Sequence, residues 1–263
     1  MRNRLRWRAV CITRKAFCLI NLLVFACAFT IKAEETSSNI LCRPELAPSR
    51  RSELADKLRA ITGWRDLGFD QNGALRPGRA QSSGGSPTAR DLLGAAVTGK
   101  NVLILEDASN RSDVVFCRVN PGRWTKDAAQ RPPAYVILID FADFSRITGD
   151  RAALAAFNVG WGLLHEIDHV VHDSVDPQRI GEAGECEDLI NRMRRECGLA
   201  ERVEYYFTLV PGTTASAFMT RLVRLAFEQR TPEQNKKKKR YWLVWDASLV
   251  GGFSEDNKIA AVR

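Results

Sequence analysis

The three histidines of the chain lie in one short segment, GLLHEIDHVVHD, at residues 162–173. Two of them enclose a glutamate in the order His165-Glu166-x-x-His169. On a helix, side chains four residues apart lie on one face, one turn above the other. Two imidazoles at this spacing can reach one tetrahedral Zn2+ ion, with Glu166 beside an open coordination position. Glu166 could then act as the general base and pass a proton from the attacking water to a leaving amine.

The third histidine, His172, follows His165 by seven residues. On a straight helix this separation corresponds to a rise of about 10 Å, which one ion cannot span. We therefore predict that His172 is a flanking surface residue. The alternative for the whole motif is a surface helix whose histidines are satisfied without any metal.

A third protein ligand is needed, because catalytic zinc sites usually have three. We predict Glu182, which extends by one turn the apolar stripe of a helix expected over residues 182–197. That stripe consists of Cys186, Leu189, Ile190 and Met193. Glu185 is the second choice. Asp173 and Asp176 are further candidates, but both precede the turn-rich segment in which the chain is expected to reverse.

A Tyr-Tyr pair follows this second helix at Tyr205 and Tyr206. A tyrosine hydroxyl could stabilise the oxyanion of a tetrahedral intermediate. Packing in the interior is the alternative role for both rings.

The elements that must position these residues change character near residue 150. Runs rich in β-branched residues predict strands, and longer amphipathic periods predict helices. The predicted strands cover residues 101–107, 113–119, 134–141 and 240–250, with 134–141 as an edge strand beside the histidine helix. The predicted helices cover residues 52–64, 150–171, 182–197 and 216–229, and a Gly/Ser/Pro-rich loop covers residues 76–90. This order indicates an α+β fold in a single domain over residues 51–263, preceded by a polar tether at residues 34–50.

The first 33 residues have the layout of a secretory signal peptide, with a basic start followed by an apolar run. The apolar run, residues 16–31, is shorter than the roughly 20 residues of a spanning helix. We therefore expect a secreted or periplasmic protein with no stable membrane span after cleavage; an uncleaved anchor is the alternative. The net charge of +8 falls to 32 basic against 31 acidic residues once residues 1–33 are removed. This balance predicts no nucleic-acid partner.

Four of the seven cysteines remain after that leader: Cys42, Cys117, Cys186 and Cys197. An even number in an exported chain predicts two disulfides, with three possible pairings.

From Val159 to Tyr206 the chain resembles the zincin metallopeptidases, in particular gluzincin-type bacterial effectors and toxins. The resemblance is carried by HEIDH, then GEAGECEDLINRMRRECGL, then YY. Positions that match the family pattern after the zinc helix are Asn191, Arg194, Arg195, Glu196, Gly198 and Leu199. Two residues depart from it: Asp168 places a charge between the histidines, and Cys197 replaces an aliphatic residue.

This resemblance implies a zincin-like α+β fold, in which a small mixed sheet packs on the zinc-binding helix and on the helix that follows. It implies Zn2+ held by His165, His169 and a glutamate, with a second glutamate as base. The implied activity is hydrolysis of peptide bonds in a peptide or protein substrate.

Two other functions remain open at this point. Peptide deformylases also have an aspartate in this motif and a cysteine ligand upstream, where this chain has Cys117. However, FCRVNPG does not match the deformylase pattern around that cysteine. The other alternative is a non-catalytic secreted module whose metal is structural or absent.

Overall fold

A computed structural model describes residues 38–78, 84–122, 131–210, 222–230 and 238–250. The expected signal peptide lies outside these ranges, so its cleavage stays a prediction. Within the ranges described, no helix combines the length and the apolar character needed to cross a membrane.

Six helices and eleven strands occur in the described residues. The helices are α1 (Pro48–Thr62), α2 (Pro87–Thr98), α3 (Phe141–Arg146), α4 (Arg151–Ala156), α5 (Val159–His172) and α6 (Glu185–Glu196). The strands are β1 (Ile40–Cys42), β2 (Gly68–Phe69), β3 (Leu75–Arg76), β4 (Val102–Asp107), β5 (Cys117–Pro121), β6 (Ala134–Ile139), β7 (Thr148–Gly149), β8 (Glu201–Arg202), β9 (Thr208–Leu209), β10 (Leu222–Arg230) and β11 (Lys238–Asp246). The mixture confirms the predicted α+β class.

The larger core forms around a four-stranded sheet in the order β1-β4-β6-β5. β1, β4 and β6 are parallel, while β5 joins antiparallel at the edge. Aliphatic side chains of β4 and β6 are buried against α1, α2, α5 and α6 in one apolar cluster. Helix α5, which carries the histidines, packs in the middle of this cluster and contacts β5 and β6. The edge strand was therefore predicted wrongly: residues 134–139 lie inside the sheet, and its two edge strands are β1 and β5.

A second sheet has the strand order β7-β11-β10-β8, and β9 also pairs with β10. All of its strands except β7 come from the C-terminal part of the sequence. The predicted helix over 216–229 is wrong at Leu222–Arg230, which is strand β10; residues 216–221 lie outside the described ranges. Val223, Leu225 and Phe227 alternate along β10 and are all buried. This period of two buries one face of a strand, and the long pairing of β10 with β11 secures it.

The single long helix predicted from residue 150 is two helices, α4 and α5. The break falls at Phe157 and Asn158, where the backbone is extended. The Asn158 side chain accepts a hydrogen bond from the N–H of Gly160 at 3.0 Å and so begins α5 as its N-cap. Asp150 stands at the N-cap position of α4, but its carboxylate accepts from the N–H of Trp242 at 2.7 Å and does not cap the helix.

Three further boundaries differ from prediction. β1 lies in the main sheet and α1 begins at Pro48, so part of the expected tether belongs to the domain. α2 begins inside the expected loop 76–90, because Ser86 caps it by accepting from the N–H of Ala89 at 2.9 Å. α6 begins at Glu185 rather than Glu182, which changes the placement of the predicted third ligand.

Candidate metal centre

Helix α5 holds the two motif histidines on one buried face. The helix approaches β5 closely at Gly162, where a Cβ would lie 2.9 Å from both the Cys117 sulfur and the tip of the Phe144 ring. It ends at Asp173, whose positive φ of 57° turns the chain sharply back. His165 is 9 % exposed, and its ring meets that of His169 at a centroid distance of 4.8 Å.

Both imidazoles are oriented through their Nδ1 atoms. His169 Nδ1 lies 2.7 Å from the carbonyl oxygen of Ser174. A carbonyl only accepts, so this contact requires the proton on Nδ1 and leaves Nε2 as a lone-pair donor. His165 Nδ1 lies 3.2 Å from the Cys186 sulfur and 3.7 Å from a carboxylate oxygen of Glu187. Such contacts on the far nitrogen are how proteins fix the tautomer of a metal-binding histidine.

The two Nε2 atoms converge on one carboxylate oxygen, Oδ1 of Asp176. The distances are 3.2 Å from His165 and 3.6 Å from His169. Ligand atoms about 2.0–2.1 Å from a tetrahedral zinc ion lie about 3.3 Å from one another. Both nitrogen-to-oxygen distances are therefore close to the spacing between two ligands of one zinc ion.

Charge in this cluster favours a cation between the three side chains. Burial opposes ionisation of Asp176, but its contacts with His165, Tyr205 and His169 outweigh this and lower the carboxyl pKa. Burial likewise acts against the charged form of His165, yet Asp176, Glu187 and Glu166 raise the pKa of the imidazole overall. The site thus stabilises positive charge where the two Nε2 atoms face Asp176.

Glu166 is 8 % exposed and lies on the same helix face as the cluster. Its Oε2 accepts a hydrogen bond from the N–H of Val119 on β5 at 2.8 Å. Burial raises the pKa of the carboxyl, while His165 and His169 lower it less, so the net shift is upward. A carboxylate with a raised pKa beside a metal position is suited to accept and return a proton.

The predicted third ligands lie elsewhere. Glu182 and Glu185 are both exposed. Because α6 begins only at Glu185, Glu182 is not part of the apolar stripe, and it meets the site only through its carbonyl oxygen, which accepts from the N–H of Tyr205 at 2.9 Å. The structure instead brings Asp176, the candidate that was ranked behind both glutamates, to the histidines.

A sulfur donor, Cys186, is also close, although the sequence had assigned it to an apolar stripe and to a disulfide. One ligand atom each from His165, His169 and Cys186 lie within 4.8 Å of one another. The sulfur faces Nδ1 of His165, whereas Asp176 faces Nε2 on the other side of the ring, so one ion cannot bind His165 through both. Burial raises the pKa of the Cys186 thiol, and Asp168 and Glu187 raise it further.

The tyrosine pair contacts the loop that carries Asp176. The Tyr205 ring stacks on the His165 ring, with a centroid distance of 5.9 Å and an interplanar angle of 22°. The Tyr205 hydroxyl donates to Oδ2 of Asp176 at 2.8 Å. The Tyr206 hydroxyl donates to the carbonyl of Pro177 at 2.7 Å. This geometry makes Tyr205 a positioning residue for Asp176, whereas the sequence had suggested contact with the reacting atoms for both tyrosines.

His172 and Asp168 form a pair of their own. Their contact is 2.5 Å, between Nδ1 and Oδ1 one helical turn apart. Asp168 is fully buried, while the His172 side chain is 52 % exposed. The unusual aspartate between the histidines therefore faces inward and pairs with the third histidine.

The structure joins none of the four remaining cysteines in a disulfide: Cys42, Cys117, Cys186 and Cys197 are all free. They lie on different elements, namely β1, β5, the first turn of α6 and its C-terminal end. Cys117, the ligand in the deformylase alternative, lies against Gly162 and is not part of the donor group in the described residues.

A buried network of ion pairs lies next to His165. Glu187 on α6 is 1 % exposed and pairs with Arg194, and also with Arg202 at 3.0 Å. Burial raises the pKa of the Glu187 carboxyl, but the two guanidinium groups outweigh this and bring it to about 2. Asn191 joins the same network by accepting from Arg194 at 2.9 Å. α6 is thereby fixed against the strand that follows it and beneath His165.

A cavity of about 230 Å³ opens beside His165 and Glu166. Eight Phe, Trp and Tyr side chains contribute to its wall, and Glu187, Arg194 and Arg202 also line it.

No family model, no curated protein and no solved structure matches this chain.

Proposed function

We propose that this chain is a zinc-dependent hydrolase of the zincin type that cleaves peptide bonds. The observation that carries the proposal is the approach of two Nε2 atoms to one carboxylate oxygen, at 3.2 and 3.6 Å, beside a buried glutamate. Three protein ligands leave a position for water or substrate, as in catalytic rather than structural zinc sites. His165, His169 and Asp176 are the proposed ligands.

The residues of the chain divide the work as follows. Zinc, when bound, supplies a Lewis acid for the scissile carbonyl and for the attacking water. Glu166, held through Oε2 by the N–H of Val119, accepts the proton of that water and returns it to the leaving amine. Tyr205 holds Oδ2 of Asp176, so that Oδ1 faces the histidines.

The arrangement of elements supports the zincin-like part of the proposal. A mixed sheet packs along α5, its edge strand β5 contacts Glu166, and α6 follows and packs on α5. This agrees with the sheet, zinc helix and following helix that the resemblance implies. The basic and apolar leader is the support for an exported protein, and a peptide or protein is the proposed substrate.

The test compares two aspartates of the same loop. Asp176→Asn should lower zinc content and affinity by at least tenfold, because an amide is a poor zinc ligand. Asp173→Asn is the matched control: Asp173 is exposed and has positive φ, a conformation that asparagine tolerates. Zinc content is measured by mass spectrometry of the metal after dialysis, and affinity by competition with a chelator.

The same preparations test the reaction. Glu166→Gln should keep zinc and abolish hydrolysis of a broad peptide library, since Glu166 is the base and not a ligand. Equal zinc affinity in both asparagine variants would remove Asp176 from the ligand set. Loss of affinity in Glu182→Ala or Glu185→Ala would return the role to the glutamate first predicted.

A structural metal site is the second candidate, favoured by the nearness of Cys186 to both histidines. In that case His165 would bind through Nδ1, and the sulfur would be a ligand. Cys186→Ser should then lose the metal, whereas the hydrolase proposal expects the metal to be retained.

A further inference from the structure

The cavity beside the metal centre has the size of one large side chain. An apolar cavity of roughly 150 Å³ takes a benzene molecule, whereas sites for whole small molecules usually exceed about 300 Å³. At about 230 Å³, this cavity lies between those two sizes. Its lining includes His165 and Glu166, so an occupant lies next to the proposed reacting atoms.

Aromatic rings form one part of the wall, and Phe116 stands edge to face with two of them. The Phe116 and Phe157 rings have a centroid distance of 5.0 Å and an interplanar angle of 87°. The Phe116 and Trp245 rings have a centroid distance of 5.4 Å and an interplanar angle of 85°. Phe144 packs on the same ring of Phe116 at 5.1 Å. Such edge-to-face arrangements are favoured between aromatic rings, and an entering ring can extend them.

The backbone at Phe116 is strained in order to place that ring. Its φ is 62°, in the left-handed region that a bulky residue rarely adopts. The Phe116 N–H donates to a carboxylate oxygen of buried Asp143 at 3.1 Å, and its carbonyl accepts from the N–H of Asp140 at 2.8 Å. Strain of this kind persists where the surrounding contacts fix it, and it concentrates at functional sites.

The polar part of the lining selects against a cationic occupant. Arg194 and Arg202 are both paired with Glu187, and each guanidinium stacks on an aromatic ring, Trp161 for Arg194 and Tyr205 for Arg202. The two guanidinium groups therefore share one carboxylate, and a cationic side chain would meet positive charge without a free partner.

We propose that this cavity is a specificity pocket that takes an uncharged aromatic side chain of the peptide substrate, from a residue adjacent to the scissile bond. The inference rests on the proposed peptidase function and names the substrate class of the same site. Leu225 on β10 is 2 % exposed and lines the cavity, so its size sets the room available.

The experiment changes that one position in both directions. Leu225→Trp fills the cavity, and Leu225→Ala enlarges it. Peptides that differ only in one residue, Phe, Trp or Ala, are compared by kcat/KM at the bond next to that residue. The native chain should prefer Phe over Ala by at least tenfold. Leu225→Trp should reduce that ratio by at least tenfold, and Leu225→Ala should raise the ratio of Trp to Phe.

The two variants should change the preference between peptides in opposite directions. This distinguishes an effect on the pocket from a loss of stability, because a loss of stability would lower the rates for all peptides in both variants. Thermal unfolding of each variant confirms that it is folded at the assay temperature. A native chain without preference for Phe over Ala, or equal ratios in all three proteins, would overturn the proposal.

A binding measurement keeps the pocket testable if no peptide is hydrolysed. The probe is N-acetyl-4-fluorophenylalanine amide, followed by line broadening in fluorine NMR. Saturable binding to the native chain and to Glu166→Gln, with loss in Leu225→Trp, would support the pocket while the hydrolase function fails. No binding in the absence of hydrolysis would reject both.

Discussion

Replacing Glu187 by glutamine should show how much the buried ion network of α6 contributes to the free energy of unfolding. The change keeps the shape of the side chain and removes the charge that faces Arg194 and Arg202. Both Glu187 and Arg194 are almost fully buried, at 1 % and 2 % exposure. Removing one partner of a buried pair leaves the other uncompensated, which typically costs about 3–5 kcal/mol.

The pKa gives a second measure of the same contribution. The Glu187 carboxyl has an ordinary pKa of 4.5, which the two arginines reduce to about 2 against the opposing effect of burial. At 1.36 kcal/mol for each pKa unit, that shift corresponds to about 3 kcal/mol of folding free energy. The folded state binds fewer protons than the unfolded state between these two values. Stability from Glu187 is therefore complete above about pH 4.5 and is lost as the pH falls towards about 2.

The assay is urea unfolding of the native chain and of Glu187→Gln over a range of pH. At about pH 7 the variant should be less stable by about 3 kcal/mol, and at about pH 3 the difference should shrink to about 1 kcal/mol. Glu185→Gln is the matched control, since Glu185 lies on the same helix and is exposed, and it should change stability by less than about 0.5 kcal/mol.

Two results would refute this reasoning. One is a Glu187→Gln protein as stable as the native chain near neutral pH. The other is a difference that does not change with pH, because it would show that the loss comes from packing and not from charge. Combining Glu187→Gln with Arg194→Met in a double-mutant cycle then isolates the pairwise part.

Three further outcomes are expected. Gly162→Ala should destabilise the fold by about 1–3 kcal/mol in thermal or urea unfolding, because its Cβ would lie 2.9 Å from the Cys117 sulfur; unchanged stability would mean that α5 and β5 separate without cost. Thiol titration of the chain without residues 1–33 should find four free thiols after unfolding, and Cys42, whose pKa burial raises to about 12, should resist alkylation while folded; two or fewer thiols would restore the predicted disulfides. Ser86→Ala should cost about 0.5–2 kcal/mol in urea unfolding, because it removes both the N-cap that accepts from Ala89 and the hydroxyl that donates to Glu196; unchanged stability would contradict a role for this cap.

The sequence predicted the local part of the site. His165, Glu166 and His169 were identified because a helix fixes their relative positions through its period alone. Asp176 could not be ranked in the same way, because its place depends on the backbone after Asp173, which turns with positive φ. The contacts that orient the site depend on tertiary packing. Neither the hydrogen bond from Val119 to Glu166 nor the contact of Cys186 with His165 can be inferred from the spacing of residues in the sequence.

The fold shows the same limit. β4 and α1 were predicted well, since β4 is a continuous apolar run and α1 has one apolar stripe. Residues 222–229 fit two periods at once: Leu222, Leu225 and Ala226 have helical spacing, while Val223, Leu225 and Phe227 alternate. The pairing of β10 with β11 decides between them, and that partner lies beyond a local sequence window.

The turn at Asp173 also bears on the order in which the protein assembles. All three proposed ligands lie within residues 165–176, so bringing them together closes only a short loop, and its entropic cost is small. The groups that orient Asp176 and the base Glu166, namely Tyr205 and Val119, join from more than 25 residues away. We therefore expect a folding sequence in which the ligand set forms early from local contacts. The orientation that the proposed reaction needs would form only when the distant strands have packed. Formation of the proposed ligand set and formation of the oriented site would then be two separate kinetic steps.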